Sequence, residues 1–198
     1  MKKSIVIIFL CLLFFLPCRN AAGIVVNLTE KDVTDAIREG KKKGSKATKY
    51  LKQKYSFGEE GFFEENGIIR TKWSKLVMLS SLLAAKGKKL TEQEKKRVLT
   101  SDELQINIHA FGNKIDFASA YKVHLVQKGK IIKPEKISAN HVTYRARKKV
   151  IASGFPKYHA TVRAFFSYDK ISPNEKAEIV LVKNKKKVVF EVDFAEYK

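Results

Sequence analysis

Four histidines, His109, His124, His141 and His159, are the side chains that could ligate a metal or move a proton near neutral pH. A zinc site needs three or four ligands that converge, each usually oriented by a further acceptor. None of the four has helical i, i+4 spacing, a His-x-His partner or a carboxylate at motif spacing, so no metal and no cofactor is expected. Alternation along the flanking residues places His109, His124 and His159 on the polar faces of strands.

Nucleophilic catalysis is no better supported. The serines lack a Gly-x-Ser-x-Gly elbow and a usable Ser-x-x-Lys start, and no glycine-rich phosphate loop is present. Glu59, Glu60, Glu64 and Glu65 could in principle pair as acid and base. They lie in a stretch with three glycines in eleven positions, Phe57–Gly67, and a catalytic acid needs an apolar wall to raise its pKa. A solvated acidic loop is the expectation. Both cysteines, Cys11 and Cys18, fall in the first eighteen residues, so the chain beyond them has no thiol for a disulfide, a zinc ligand or a nucleophile.

The strongest departure from average is charge. Forty Lys and Arg stand against twenty Asp and Glu in 198 residues, a net +20. Clusters occur at Lys41–Lys43, at Arg145, Arg147, Lys148 and Lys149, and at Lys183, Lys185, Lys186 and Lys187. The last two groups fall at strand ends or turns and are the candidate anion-binding residues. Of the forty, 33 are Lys and 7 are Arg, and Lys is a hydrated point charge rather than the planar fork suited to phosphate. Compositional bias and edge protection of a sheet are therefore the competing explanation.

The amino-terminal segment sets the compartment. Met1-Lys2-Lys3 is a basic start, Ile5–Leu16 is an apolar run of twelve, and Pro17 to Asn20 end it, the pattern of a secretory signal. Twelve residues are short for a span, which takes about 20. Cleavage is expected after Gly23, with Ala22 the alternative. A lipoprotein anchored at Cys18 is a weaker reading, because Pro17 fits a lipobox poorly. Loss of Lys2, Lys3 and Arg19 leaves +17, of which residues 106–198 carry +11.

These side chains must be held by elements of two kinds. Thr29 and Asp32 form a capping box ahead of Val33, Ala36 and Ile37, and Ser45 is placed to cap a second helix with Ala47, Tyr50, Leu51 and Tyr55 on one face. Trp73, Leu76, Val77, Ser80, Leu83 and Ala84 mark the clearest helix, with Gly87 at its end, and Thr91 with Glu94 caps a short fourth one. From Leu104 the period changes to two. Strands are expected around 104–110, 121–125, 131–132, 141–150, 158–168, 179–181 and 188–194, with turns at 127–130 and 183–186.

The fold expected is α+β: a signal over 1–23, a helical region over 24–102, and an antiparallel β-sandwich of about seven strands over 103–198. That back half is similar in architecture to an immunoglobulin-like sandwich, an analogy that carries no activity. The function expected is an exported, non-enzymatic binding module of the cell envelope, its basic turns facing an anionic polymer, a membrane surface or a protein partner. Export argues against nucleic acid. The alternative is an exported hydrolase with a site between helices and sheet, to which His141 or Glu64 would contribute.

Overall fold

A computed structural model describes residues 23–59, 64–142, 156–183 and 186–198. The protein is α+β, with four α-helices and two antiparallel sheets among the described residues. Helix α1 (Glu30–Lys43) starts at Thr29, whose Oγ1 accepts from the Asp32 amide while the Asp32 carboxylate accepts from the Thr29 amide. The Thr91 and Glu94 box opens α4 (Glu92–Leu99) in the same way. Both caps satisfy amide groups that a helix start would leave unpaired.

The cap expected at Ser45 does not form. Gly44–Lys46 is a 3-10 turn, and α2 (Ala47–Tyr55) begins with no side-chain cap. The turn lets α1 run nearly directly into α2, whose Ala47, Leu51 and Tyr55 are buried as the spacing predicts. Helix α3 (Lys72–Ala84) buries Trp73, Leu76, Val77, Ser80 and Ser81, while Leu83 and Ala84 stay half-buried. Gly87 lies at φ 67°, inside the turn in which the Lys88 amide returns to the Leu83 carbonyl at 2.8 Å.

Helices α1 and α3 touch closely because Gly40 has no side chain. A Cβ there would lie 2.0 Å from Ser80 Oγ and 2.3 Å from the Val77 carbonyl oxygen. The helix carries a residue of poor helical propensity at the one place where its backbone must approach its neighbour.

One sheet has the order β1 (Ser56–Phe57), β2 (Asn66–Arg70), β3 (Glu103–Gly112), β7 (Tyr158–Ser167), β6 (Lys136–Val142). The other has the order β5 (Lys130–Ile132), β4 (Tyr121–Gln127), β8 (Lys176–Lys183), β9 (Lys186–Asp193). Inward residues alternate on three strands, Leu104, Ile106, Ile108 and Ala110 on β3, Ala160, Val162, Ala164 and Phe166 on β7, Val123 and Leu125 on β4, while β8 buries Val180 as well as Ile179 and Leu181. All but Val180 belong with Leu51, Tyr55, Trp73 and Leu76 to one hydrophobic core, so helices and sheets bury a common interior.

Two strands arise where helix and loop were expected. β1 and β2 pair with each other, and β2 pairs with β3 from Asn66 opposite His109 to Arg70 opposite Gln105. Gly67, Ile68 and Ile69 are buried in succession, so no polar alternation marks the strand. Helices α3 and α4 are thus inserted between two neighbouring strands of one sheet. The strand expected over 141–150 starts earlier, at Lys136, and 143–150 lies outside the described residues. The 127–130 turn is present, with Lys128 and Gly129 both at positive φ, the geometry a two-residue hairpin requires.

Candidate functional site

The lysines of the basic hairpin do not all reach outward. Lys183 pairs with Tyr121 and shares the parity of Ile179 and Leu181, which face the core. Its ammonium turns into the protein, donating to the Phe111 carbonyl at 2.9 Å and lying 4.9 Å and 5.2 Å from the Tyr121 and Phe117 ring centroids. Lys186 and Lys187 are exposed on β9. Lys187 stands opposite Val182, which stands opposite Lys122, also exposed, so two ammonium groups flank one valine on the outer face of the four-stranded sheet. Arg145, Arg147, Lys148, Lys149 and Lys185 lie outside the described residues.

The next row of that face is His124, Val180 and Val189, and the following one is Ile131, Val126, Glu178 and Glu191. Burial lowers the His124 pKa, and the nearby Lys187 ammonium lowers it further. On this face the lysine row therefore lies at the β8–β9 turn and the Glu178–Glu191 row further along the strands. The far end of the sheet borders a cavity of about 450 Å³ lined by both signs of charge, Glu178, Glu191, Asp193, Lys176 and Lys128 among others. Lys128 is held by Glu175 at 2.6 Å.

On the other sheet His109 and His159 meet, Nδ1 to Nε2 at 3.2 Å, with rings stacked at 5.3 Å and Phe111 against His159. One nitrogen donates and the other accepts, so the pair is satisfied when both are neutral. Burial is the main cause that lowers both pKa values, and His109 is lowered further by His159 and by Lys52 and Arg70. His141 stands opposite Ala160 in the β6–β7 pairing, and Glu64 is exposed. Among the described residues no three His, Cys, Asp or Glu groups come together in a way that could hold a metal ion. From the acidic loop, Glu65 accepts a hydrogen bond from the Tyr121 hydroxyl at 3.0 Å.

Two cations that clustering along the sequence did not single out lie between helices and sheet. Arg70 and Gln105, opposite each other on β2 and β3, border a cavity of about 290 Å³ with Lys75, Met78, Leu79 and Leu82 of α3 and Val98 of α4. The Lys75 ammonium donates to the Glu103 carbonyl at 3.3 Å. Burial, then repulsion from Lys72 and Arg70, outweighs attraction by Glu103 and brings its pKa down to about 8. Arg70 is lowered by burial alone, and its buried Nη1 has no hydrogen-bond partner among the described residues.

The Lys75 shift has a sign that can be measured. Between about 8 and 10.5 the unfolded chain holds a proton that the folded one has released, so the group makes stability rise with pH across that window. Lys75→Met is expected to flatten the rise and to stabilise the protein by about 1–2 kcal/mol at pH 7, because an unpaired buried charge is replaced by an apolar chain of similar length. Urea denaturation of both proteins from pH 7 to 10 checks this. Parallel pH profiles would show that the ammonium is not desolvated.

No known protein-family model and no curated protein matches this chain.

Proposed function

We propose that the protein is an exported, non-enzymatic binding module that contacts an anionic polymer or lipid head group of the cell envelope through the β8–β9 end of its four-stranded sheet. The observation that carries this reading is the outward row Lys122, Val182, Lys187, with no carboxylate in the row, and Lys186, opposite Lys183, exposed at the start of the same strand. Exposed lysines grouped at one end of a sheet give a local positive field, each contributing about 1 kcal/mol near an anionic membrane. Exposed Val189, two residues from Lys187 on the same strand face, supplies apolar surface next to the charge.

An immunoglobulin-like module suits this role, and the strand order supports it. Lettering β2 to β9 as A, B, C, C′, D, E, F and G turns the two sheets into ABED and C′CFG, with β1 added at the edge beside A. In that lettering the module begins at β2, not at 103, and α3 and α4 form an insertion between strands A and B. Export is supported by the amino-terminal sequence pattern. Cleavage after Gly23 is compatible with Ile24, which is buried and whose nitrogen donates to the Pro173 carbonyl at 2.9 Å.

The triple variant Lys122→Glu, Lys186→Glu and Lys187→Glu is expected to lower partition onto phosphatidylglycerol vesicles by roughly a hundredfold or more at low salt. Retention on heparin should fall in parallel if the target is a polymer, and remain if it is a head group alone. Raising salt should abolish the wild-type difference. Unchanged binding of the triple variant to both supports would remove this face from the function.

A further inference from the structure

The cavity between α3, α4 and the five-stranded sheet joins apolar walls to cations. Its walls are Met78, Leu79 and Leu82 of α3 and Val98 of α4, and its polar lining is Arg70, Lys75 and Gln105. No carboxylate, histidine or hydroxyl borders it among the described residues. Glu103, whose charge Lys75 senses, does not line it. Leu82 is 52% exposed, so the apolar wall reaches the solvent.

The two cations lack what buried cations usually have. Buried charges are ordinarily paired, because an unpaired one forfeits hydration without compensation. Lys75 has one carbonyl contact for three donors, and Arg70 keeps an Nη1 group with no partner. Guanidinium is the group best matched to a carboxylate, through its planar fork. The Gln105 side chain is already engaged, donating to Asn107 Oδ1 at 2.7 Å.

We propose that this cavity binds a single-chain alkyl carboxylate, its head group against Arg70 and Lys75 and its chain along Met78, Leu79, Leu82 and Val98. At about 290 Å³ the volume is at the small end for ligand pockets, which suits one alkyl chain and not a two-chain lipid. Charge complementarity selects the anion, and the apolar walls select the tail. The site is separate from the lysine face of the other sheet and does not depend on it.

Titration calorimetry with dodecanoate and with dodecanol, both below micelle-forming concentration, tests the assignment without any mutation. Dodecanoate should bind one to one and dodecanol at least tenfold more weakly. Arg70→Gln and Lys75→Gln should each weaken dodecanoate about tenfold while leaving dodecanol unchanged, and bound dodecanoate should protect Lys75 from acylation by acetic anhydride in the wild-type protein. Lys186→Glu/Lys187→Glu should bind dodecanoate as the wild type does. Absence of dodecanoate binding, equal affinity for the alcohol, or loss of binding only in the Lys186/Lys187 variant would each overturn the proposal. Should the Arg70 variant fail to fold, the carboxylate-to-alcohol ratio and the Lys75 protection still decide it.

Discussion

Gly40→Leu is expected to cost about 3 kcal/mol or more and to unseat α1 from α3. The two atoms that a Cβ would meet are Ser80 Oγ at 2.0 Å and the Val77 carbonyl oxygen at 2.3 Å. The first can rotate away, since it is a side-chain hydroxyl that bonds to Val77 O. The second is backbone inside a helix and cannot, so the helices must separate and lose the packing of Ala36, Leu76 and Val77, all 0% exposed. Overpacking of this kind costs about 1–3 kcal/mol and occasionally more. Gly40→Ala should fall at the lower end of that range, despite the gain of about 1 kcal/mol that alanine brings to a helix interior. Urea denaturation reads both as a lower midpoint at unchanged slope. A stabilised Gly40→Ala protein would mean that the close approach is not needed to hold the helices together.

The same contact shows what a sequence can and cannot convey. Alternation on β3 and β7 and the boxes at Thr29 and Thr91 are local, since they depend on neighbours two or three positions apart, and all are found. Gly40 lies inside α1, which runs on to Lys43, and its reason for being glycine lies in α3. β2 escapes for a related cause: Gly67, Ile68 and Ile69 are buried on both sides, which removes the period that identifies a strand. The inward course of Lys183 is legible in the sequence, for it shares parity with Ile179 and Leu181, although grouping by charge sets it beside exposed lysines. The meeting of Arg70 and Lys75 is not. Their approach depends on Arg70 standing opposite Gln105, a pairing between segments 35 positions apart that no local pattern records.

Charge along the chain and charge on the surface therefore carry different information. Strand parity sends Lys183 inward to Phe111 and Lys187 outward, while Lys186, opposite Lys183, is exposed at the start of β9. A count of lysines alone cannot separate Lys183 from Lys187, whereas register does. The same sorting puts Glu178 opposite Glu191, a like-charge pair that is mildly unfavourable across strands.

Tyr197→Ala should be the second costly change, at about 3–4 kcal/mol, the range for deleting a buried aromatic ring. The residues after β9 leave the sheet and cross to the helices. Tyr197 is buried with its ring 5.8 Å from that of Tyr55, which in turn stacks 6.4 Å from Trp73. The Lys198 carbonyl oxygen accepts from the Tyr55 hydroxyl at 3.1 Å and from Thr71 Oγ1 at 2.5 Å, and Lys198 Nζ reaches Asp32 at 2.8 Å. This one segment thus ties α1, α2 and the start of α3 to the four-stranded sheet, and burial pushes the Tyr197 phenol up to about 12. A double-mutant cycle with Tyr55→Phe and Tyr197→Phe isolates the hydroxyl contributions from the ring contact, and the Tyr55/Tyr197 ring pair should show a coupling of about 0.5–1.5 kcal/mol when both are cut to Ala. Hydrogen exchange locates the damage: in Tyr197→Ala the amides of α1 and α2 should lose protection before those of β3 and β7, since the sheet interior keeps its own contacts. A loss below about 1 kcal/mol, or equal loss of protection in helices and sheets, would show that the helices are held by the common core and not by this segment.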